Sequence, residues 1–100
     1  MKFRYTTKQG IFETNDFDEI PGDKLHSLND EPAVKNLITG FKELWFEGQR
    51  HRESGPARIY PDGTYDFYLN GTYYENVNDW LLVHPNKDKT FQTQMRLKYI

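Results

Sequence analysis

The chain contains no cysteine. Disulfides, thiol nucleophiles and cysteine-bound zinc are therefore excluded. Small secreted domains commonly lean on disulfides, so an intracellular home is expected. Hydrophobic residues are scarce at 36%, and no apolar run near either terminus approaches the ~20 residues of a membrane-spanning helix. The opening MKFRYTTKQG lacks the apolar centre of a signal peptide. No membrane association and a cytoplasmic location are the expectations. A dominant charge is missing too. Thirteen basic and fifteen acidic residues leave a net charge of -2, without the basic excess that marks nucleic-acid binders.

Aromatic residues are what the chain does have. Seven Phe, seven Tyr and two Trp make up 16% of its 100 residues. Each buries a large area, so a few of them can carry the core of the single domain, residues 1–100, that this length predicts.

The chain also repeats itself. At an offset of 23 residues, FKELWFEG (Phe41 to Gly48) falls on TYDFYLNG (Thr64 to Gly71). Trp45 then meets Tyr68, Gly48 meets Gly71 and Gly40 meets Gly63. At an offset of 24, Pro32-Ala33 meets Pro56-Ala57, and at 25, His26 meets His51. The drift of one residue at each of two turns is what small insertions produce. Two units result, about residues 25–49 and 50–72, with a partial third from 73. A period this short predicts small supersecondary units stacked on their neighbours. In the second unit PARIYP is followed by DG, and TYDFYLNG ends in NG, both strong hairpin signals. The glycines are expected at turn positions where a Cβ would clash.

The first unit holds a conflict. DEPAVKNLITG alone reads as a short helix, with Asp30 as cap and Gly40 as stop. Its counterpart ESGPARIYPDG cannot be helical across Pro61. Equivalent units share a shape, so Val34 to Thr39 is expected to be extended and to pair with Phe41 to Glu47.

Quoted together, LWFEGQRHRESGPARIYPDG and FYLNGTYY resemble MORN-type repeats in their loose bacterial and phage form. The resemblance covers Leu25 to Tyr74, half of the chain. It implies structural hairpins used as a binding scaffold, in a small phage or bacterial protein with an inhibitor or antitoxin-like role. The corresponding location is the cytoplasm of a bacterial or phage-infected cell.

The flanks read differently. MKFRYTT alternates with Phe3 and Tyr5 on one side, a strand pattern, and KQG permits a turn into IFET. NDFDEIPGD is acidic and turn-rich and is expected to be an exposed connection. In ENVNDWLLVHP, Val77, Trp80, Leu81 and His84 follow helical spacing, giving about two turns stopped by Pro85. The tail TFQTQMRLKYI alternates from Phe91 to Tyr99, predicting a final strand. The expected fold is mainly β: a twisted antiparallel meander of repeated hairpins, five to seven strands, with one short C-terminal helix packed on it.

No spacing in the chain marks a catalytic or metal centre. His26 and His51 with Asp30, Glu31 or Glu53 offer imidazole and carboxylate ligands, but without a tight motif such as H-E-x-x-H. Ser54 beside His51 is close in sequence only, and a nucleophile needs its base in space. Turn histidines that hydrogen-bond their own loops are the simpler expectation. Arg50, His51, Arg52 and Arg58, with Lys24 and Lys35, supply cations able to clamp a phosphate or a carboxylate. Glu43, Glu47 and Glu53 lie close enough to balance them. Trp45, Tyr65, Tyr68 and Tyr73 supply apolar area with polar tips, the chemistry of contact surfaces. A thin sheet cannot bury both faces, and Tyr65 and Tyr68 fall on opposite ones.

The function expected is therefore a non-enzymatic protein-binding module without cofactor, metal or catalytic residues. Its binding residues are Trp45, Arg50, His51, Arg52, Arg58, Tyr65, Tyr68 and Tyr73. Two alternatives stand beside it. One is a self-associating module that dimerises through an exposed strand edge. The other is a small metal- or phosphate-binding enzyme that uses the His- and Arg-rich turns.

Overall fold

Strict alternation in FRYTT and GIFET builds the first hairpin. The computed structural model describes residues 2–99. In it, β1 (Phe3–Thr7) and β2 (Gly10–Thr14) pair antiparallel, with Tyr5 opposite Phe12. The acidic connection that follows is mostly exposed but holds two single-turn 3-10 helices, Phe17–Glu19 and Gly22–Lys24. Asp16 caps the first by accepting the Asp18 N–H at 2.9 Å. Leu25 then turns inward and is 2% exposed.

β3 (Val34–Asn36) pairs with both β1 and β4 (Lys42–Glu43). The repeat argument therefore outweighed the helical cap in DEPAVKNLITG. The strand is shorter than expected, however, and Leu37 to Gly40 form a turn. Asn36 causes this: its side-chain oxygen accepts the N–H groups of Ile38 and Thr39 at 2.9 and 3.1 Å. Gly40 completes the reversal with φ of 86°.

β5 (Trp45–Phe46) and β6 (Gln49–Arg50) form a separate two-stranded hairpin. β7 (Arg58–Ile59), β8 (Tyr65–Leu69) and β9 (Thr72–Tyr74) return to the main sheet. The seven-stranded order is β2-β1-β3-β4-β7-β8-β9, antiparallel throughout. It follows the chain except where β2 and the β5–β6 hairpin are set aside. The fold is mainly β, with nine strands and two helices among the described residues.

The β5–β6 and β8–β9 hairpins have the same tip. Glu47 and Gly48 have φ of 48° and 81°; Asn70 and Gly71 have 50° and 83°. These are type I′ turns, whose twist matches that of the flanking strands. Each is held by the same pair of bonds to chain lying 19–23 residues upstream. Gly48 N–H donates to Leu25 O at 2.9 Å, and Gly71 N–H to Arg50 O at 2.8 Å. His26 Nδ1 accepts the Glu47 N–H at 3.1 Å, and His51 Nδ1 accepts the Asn70 N–H at 2.9 Å. The small, fully buried Ala33 and Ala57 let the chain pass close to the sheet. Their N–H groups donate to Glu43 O and Asp66 O at 2.8 and 3.0 Å.

α1 (Val77–Val83) has the expected spacing and a cap, since Asn76 accepts the Asp79 N–H at 2.9 Å. The final strand expected over Phe91 to Tyr99 is instead α2 (Lys89–Tyr99). Residues four apart share a face in a strand and in a helix alike, so Phe91, Met95 and Tyr99 fit either reading. Asp88 decides locally by accepting the Phe91 N–H at 3.0 Å, as an N-cap does. Leu97, inward-facing in the strand reading, is 80% exposed.

Two cores result. Phe67, Leu69, Val77, Trp80 and Leu81 form the larger one, with Tyr65, Phe91, Met95 and Tyr99 packed around them. Leu25, Ala33 and Val34 form the smaller, beside Tyr5, Ile20 and Trp45. The helices thus cover one face of the sheet at its C-terminal end.

Candidate binding site

On the face away from the helices, antiparallel register sets Val34, Glu43, Arg58 and Asp66 in one row. Glu43 is only 4% exposed, and a buried carboxylate requires a cation. It has two. Arg50 Nε donates to Glu43 Oε2 at 2.6 Å. Arg58 Nε lies 3.0 Å from the same oxygen but off the hydrogen-bond axis, so that contact is one of charge. Burial opposes the Arg58 charge, yet the neighbouring Tyr68 hydroxyl and Glu43 carboxylate raise its pKa above the usual guanidinium value.

Aromatic rings flank both guanidinium groups. Arg50 lies 4.9 Å from the Trp45 ring centre and 5.8 Å from that of Tyr68. Arg58 lies 5.4 Å from the ring centres of both Phe41 and Tyr60. Tyr73, directly across from Tyr68, extends the row at a ring separation of 5.6 Å. Tyr60 donates its hydroxyl to Asp66 Oδ2 at 2.6 Å, and this bond raises the Tyr60 pKa. The arginines are thus oriented by Glu43 at Nε and by rings on their faces, a fixed geometry that a lysine could not reproduce.

The eight residues picked out by sequence separate into two groups. Trp45, Arg50, Arg58, Tyr68 and Tyr73 come together on this face. Tyr65 lies on the opposite face, where its hydroxyl donates to Tyr99 O at 3.0 Å and its ring packs on Phe67. Arg52 is committed to the fold: Nε and Nη2 each donate to Asp30 at 3.0 Å, and Nη1 donates to Pro56 O at 3.1 Å. That pair lowers the Asp30 pKa and ties the loop of the first unit to that of the second. His51 is a turn staple. Because Nδ1 accepts from Asn70, the ring proton sits on Nε2, 3.1 Å from Glu53 Oε2. Ser54 Oγ donates to Asp30 Oδ2 at 2.8 Å, away from His51. Among the described residues no group of three or more His, Asp or Glu is placed to hold a metal ion.

Sequence reasoning missed Glu43 as the hub and treated it as a screening charge. The signal was present, since a shift of 23 residues sets Glu43 on Asp66, an acid in each unit. Phe46 was missed as well. It is 47% exposed, and its ring stacks against His26 and His51 at 4.9 and 5.7 Å. Beside Trp45 a cavity of about 170 Å³ opens between the β5–β6 hairpin and the 3-10 segment, with Phe17, Ile20, Leu25 and Val34 as apolar walls. Trp45 Nε1 is buried here without a hydrogen-bond partner among the described residues.

The fold and this face define a class: an antiparallel sheet that carries an arginine–aromatic row on the side away from its two α-helices. Compared with known proteins, the chain matches no family model, no curated protein and no solved structure. Among the described residues no helix is long and apolar enough to cross a membrane.

Proposed function

We infer that the chain is a non-enzymatic protein-binding module whose contact surface is the row of Trp45, Tyr68 and Tyr73 flanked by Arg50 and Arg58. The observation that carries this reading is the Glu43 hub. A buried carboxylate that orients two guanidinium groups against four rings is costly to desolvate, and its product is a rigid surface of the side chains that dominate binding energy. Tyr73 is 50% exposed and the Arg50 side chain 36% exposed, so the row is accessible. Rigid rings and pre-oriented forks lose little entropy when a partner docks. The MORN-type resemblance supports a small phage or bacterial protein that acts in the cytoplasm as an inhibitor or antitoxin-like partner.

The test is site-specific photocrosslinking in the native cell. A photoreactive residue at Tyr73 or Phe46 should give one discrete crosslinked protein, and one at Ile38, exposed in the turn between β3 and β4, should not. Equal crosslinking from all three positions would overturn the reading.

A further inference from the structure

Unpaired backbone remains at one end of the sheet. Among the described residues β2 has β1 as its only neighbour. Edge strands are normally blunted by lysine, proline, bulges or short length. β2 has none of these: it is five residues long, reads GIFET and pairs with β1 residue for residue. Ile11 is 65% exposed and Phe12 41% exposed. The opposite edge, β9, is only three residues long and lies against α1.

Register determines what this edge can accept. Thr7 and Gly10 flank a two-residue loop, so they form a hydrogen-bonded pair, and by alternation so do Tyr5 with Phe12 and Phe3 with Thr14. Ile11 and Glu13 therefore turn their main-chain groups outward. Two β2 strands meeting antiparallel satisfy all of these groups in a single register, with Ile11 of each copy opposite Glu13 of the other. Phe12 then lies on the twofold axis, in the non-hydrogen-bonded pairing where side chains approach most closely. Tyr5 already stacks on Phe12 at 5.3 Å, so the rings of both copies join into one row of four. Charge does not oppose the match, because each Glu13 brings its own Arg4 at 3.1 Å.

We propose that the chain forms a twofold dimer through antiparallel β2–β2 pairing centred on Phe12. The dimer leaves β9 and Tyr73, at the far end of the sheet, open.

The absence of native cysteine makes the register directly testable. Phe12→Cys places two thiols at a Cβ separation suited to a disulfide, and mild oxidation should trap a covalent dimer. Ile11→Cys faces Glu13 of the second copy and should remain largely uncrosslinked. Ile11→Lys changes an exposed side chain and should convert the parent dimer, measured by light scattering across micromolar to millimolar concentrations, into a folded monomer. A parent that is monomeric throughout that range would overturn the proposal. So would crosslinking of Ile11→Cys as fast as Phe12→Cys, or a dimer that survives Ile11→Lys.

Discussion

Gly48 and Gly71 occupy the same position of the same turn, yet their surroundings make them unequal. Both have φ near 80°, so an alanine at either position suffers the same left-handed strain of about 1 kcal/mol. Both N–H groups are bonded in equivalent ways, at 2.9 and 2.8 Å. What differs is the space for a Cβ. At Gly48 it would sit 2.6 Å from Asp23 O and 3.1 Å from Asp23 C, backbone atoms of the 3-10 turn. At Gly71 the nearest atoms belong to the Gln49 side chain at 3.7 Å, ordinary contact. Overpacking against backbone costs about 1–3 kcal/mol. Gly48→Ala is therefore expected to lose about 2–4 kcal/mol and Gly71→Ala about 1 kcal/mol. Urea titration of both variants beside the parent gives the comparison, because strain cancels in their difference. Equal losses at the two glycines, with unchanged m-values, would refute the packing of the β5–β6 tip on residues 22–25.

Three further outcomes follow from the same geometry. Glu43→Ala leaves two guanidinium groups without their shared carboxylate and should destabilise by about 2–4 kcal/mol, below the range for a fully buried pair because both arginines are partly exposed; urea unfolding measures it. Glu47→Asn places at the first turn position the residue that Asn70 already supplies, and should raise the urea midpoint despite losing the exposed ion pair to Lys8. The Arg52 hydrogen bonds hold the Asp30 pKa below its ordinary value. Its contribution is therefore complete above the unfolded carboxylate pKa of about 3.9 and fades as pH falls through the lower folded value. The stability gap between parent and Asp30→Asn should accordingly close on acidification from pH 5, and a gap that widens would contradict the pairing.

The hairpin architecture was legible because its signals are local. Asn70-Gly71 marks an I′ turn locally, the offset sets Glu47-Gly48 on the same position, and it carried an extended conformation onto Val34 to Thr39, of which Val34–Asn36 is strand, against a plausible helix cap. The tail misled for an equally local reason. Phe91, Met95 and Tyr99 are spaced by four, which fits both periods, and only the Asp88 cap and the exposure of Leu97 separate them. Within the site, residue type identified the rings and arginines but not their neighbours. Arg52 and Arg50 are equally basic in sequence; one meets Asp30 across a loop and the other reaches from the β5–β6 hairpin to Glu43 of the main sheet. Tyr65 was separated from Tyr68 by strand parity, yet only the position of α2 shows which of them is covered.

The central claim is that Arg50, stacked on Trp45 and anchored to Glu43, is part of the contact surface. It is tested most directly by the affinity of the crosslinked protein, once purified, for the parent and for Arg50→Lys. The substitution keeps the charge and removes the planar fork. A folded Arg50→Lys should bind at least about tenfold more weakly, a loss of ~1.4 kcal/mol. Parent-like affinity in a variant whose fold is intact would contradict the account.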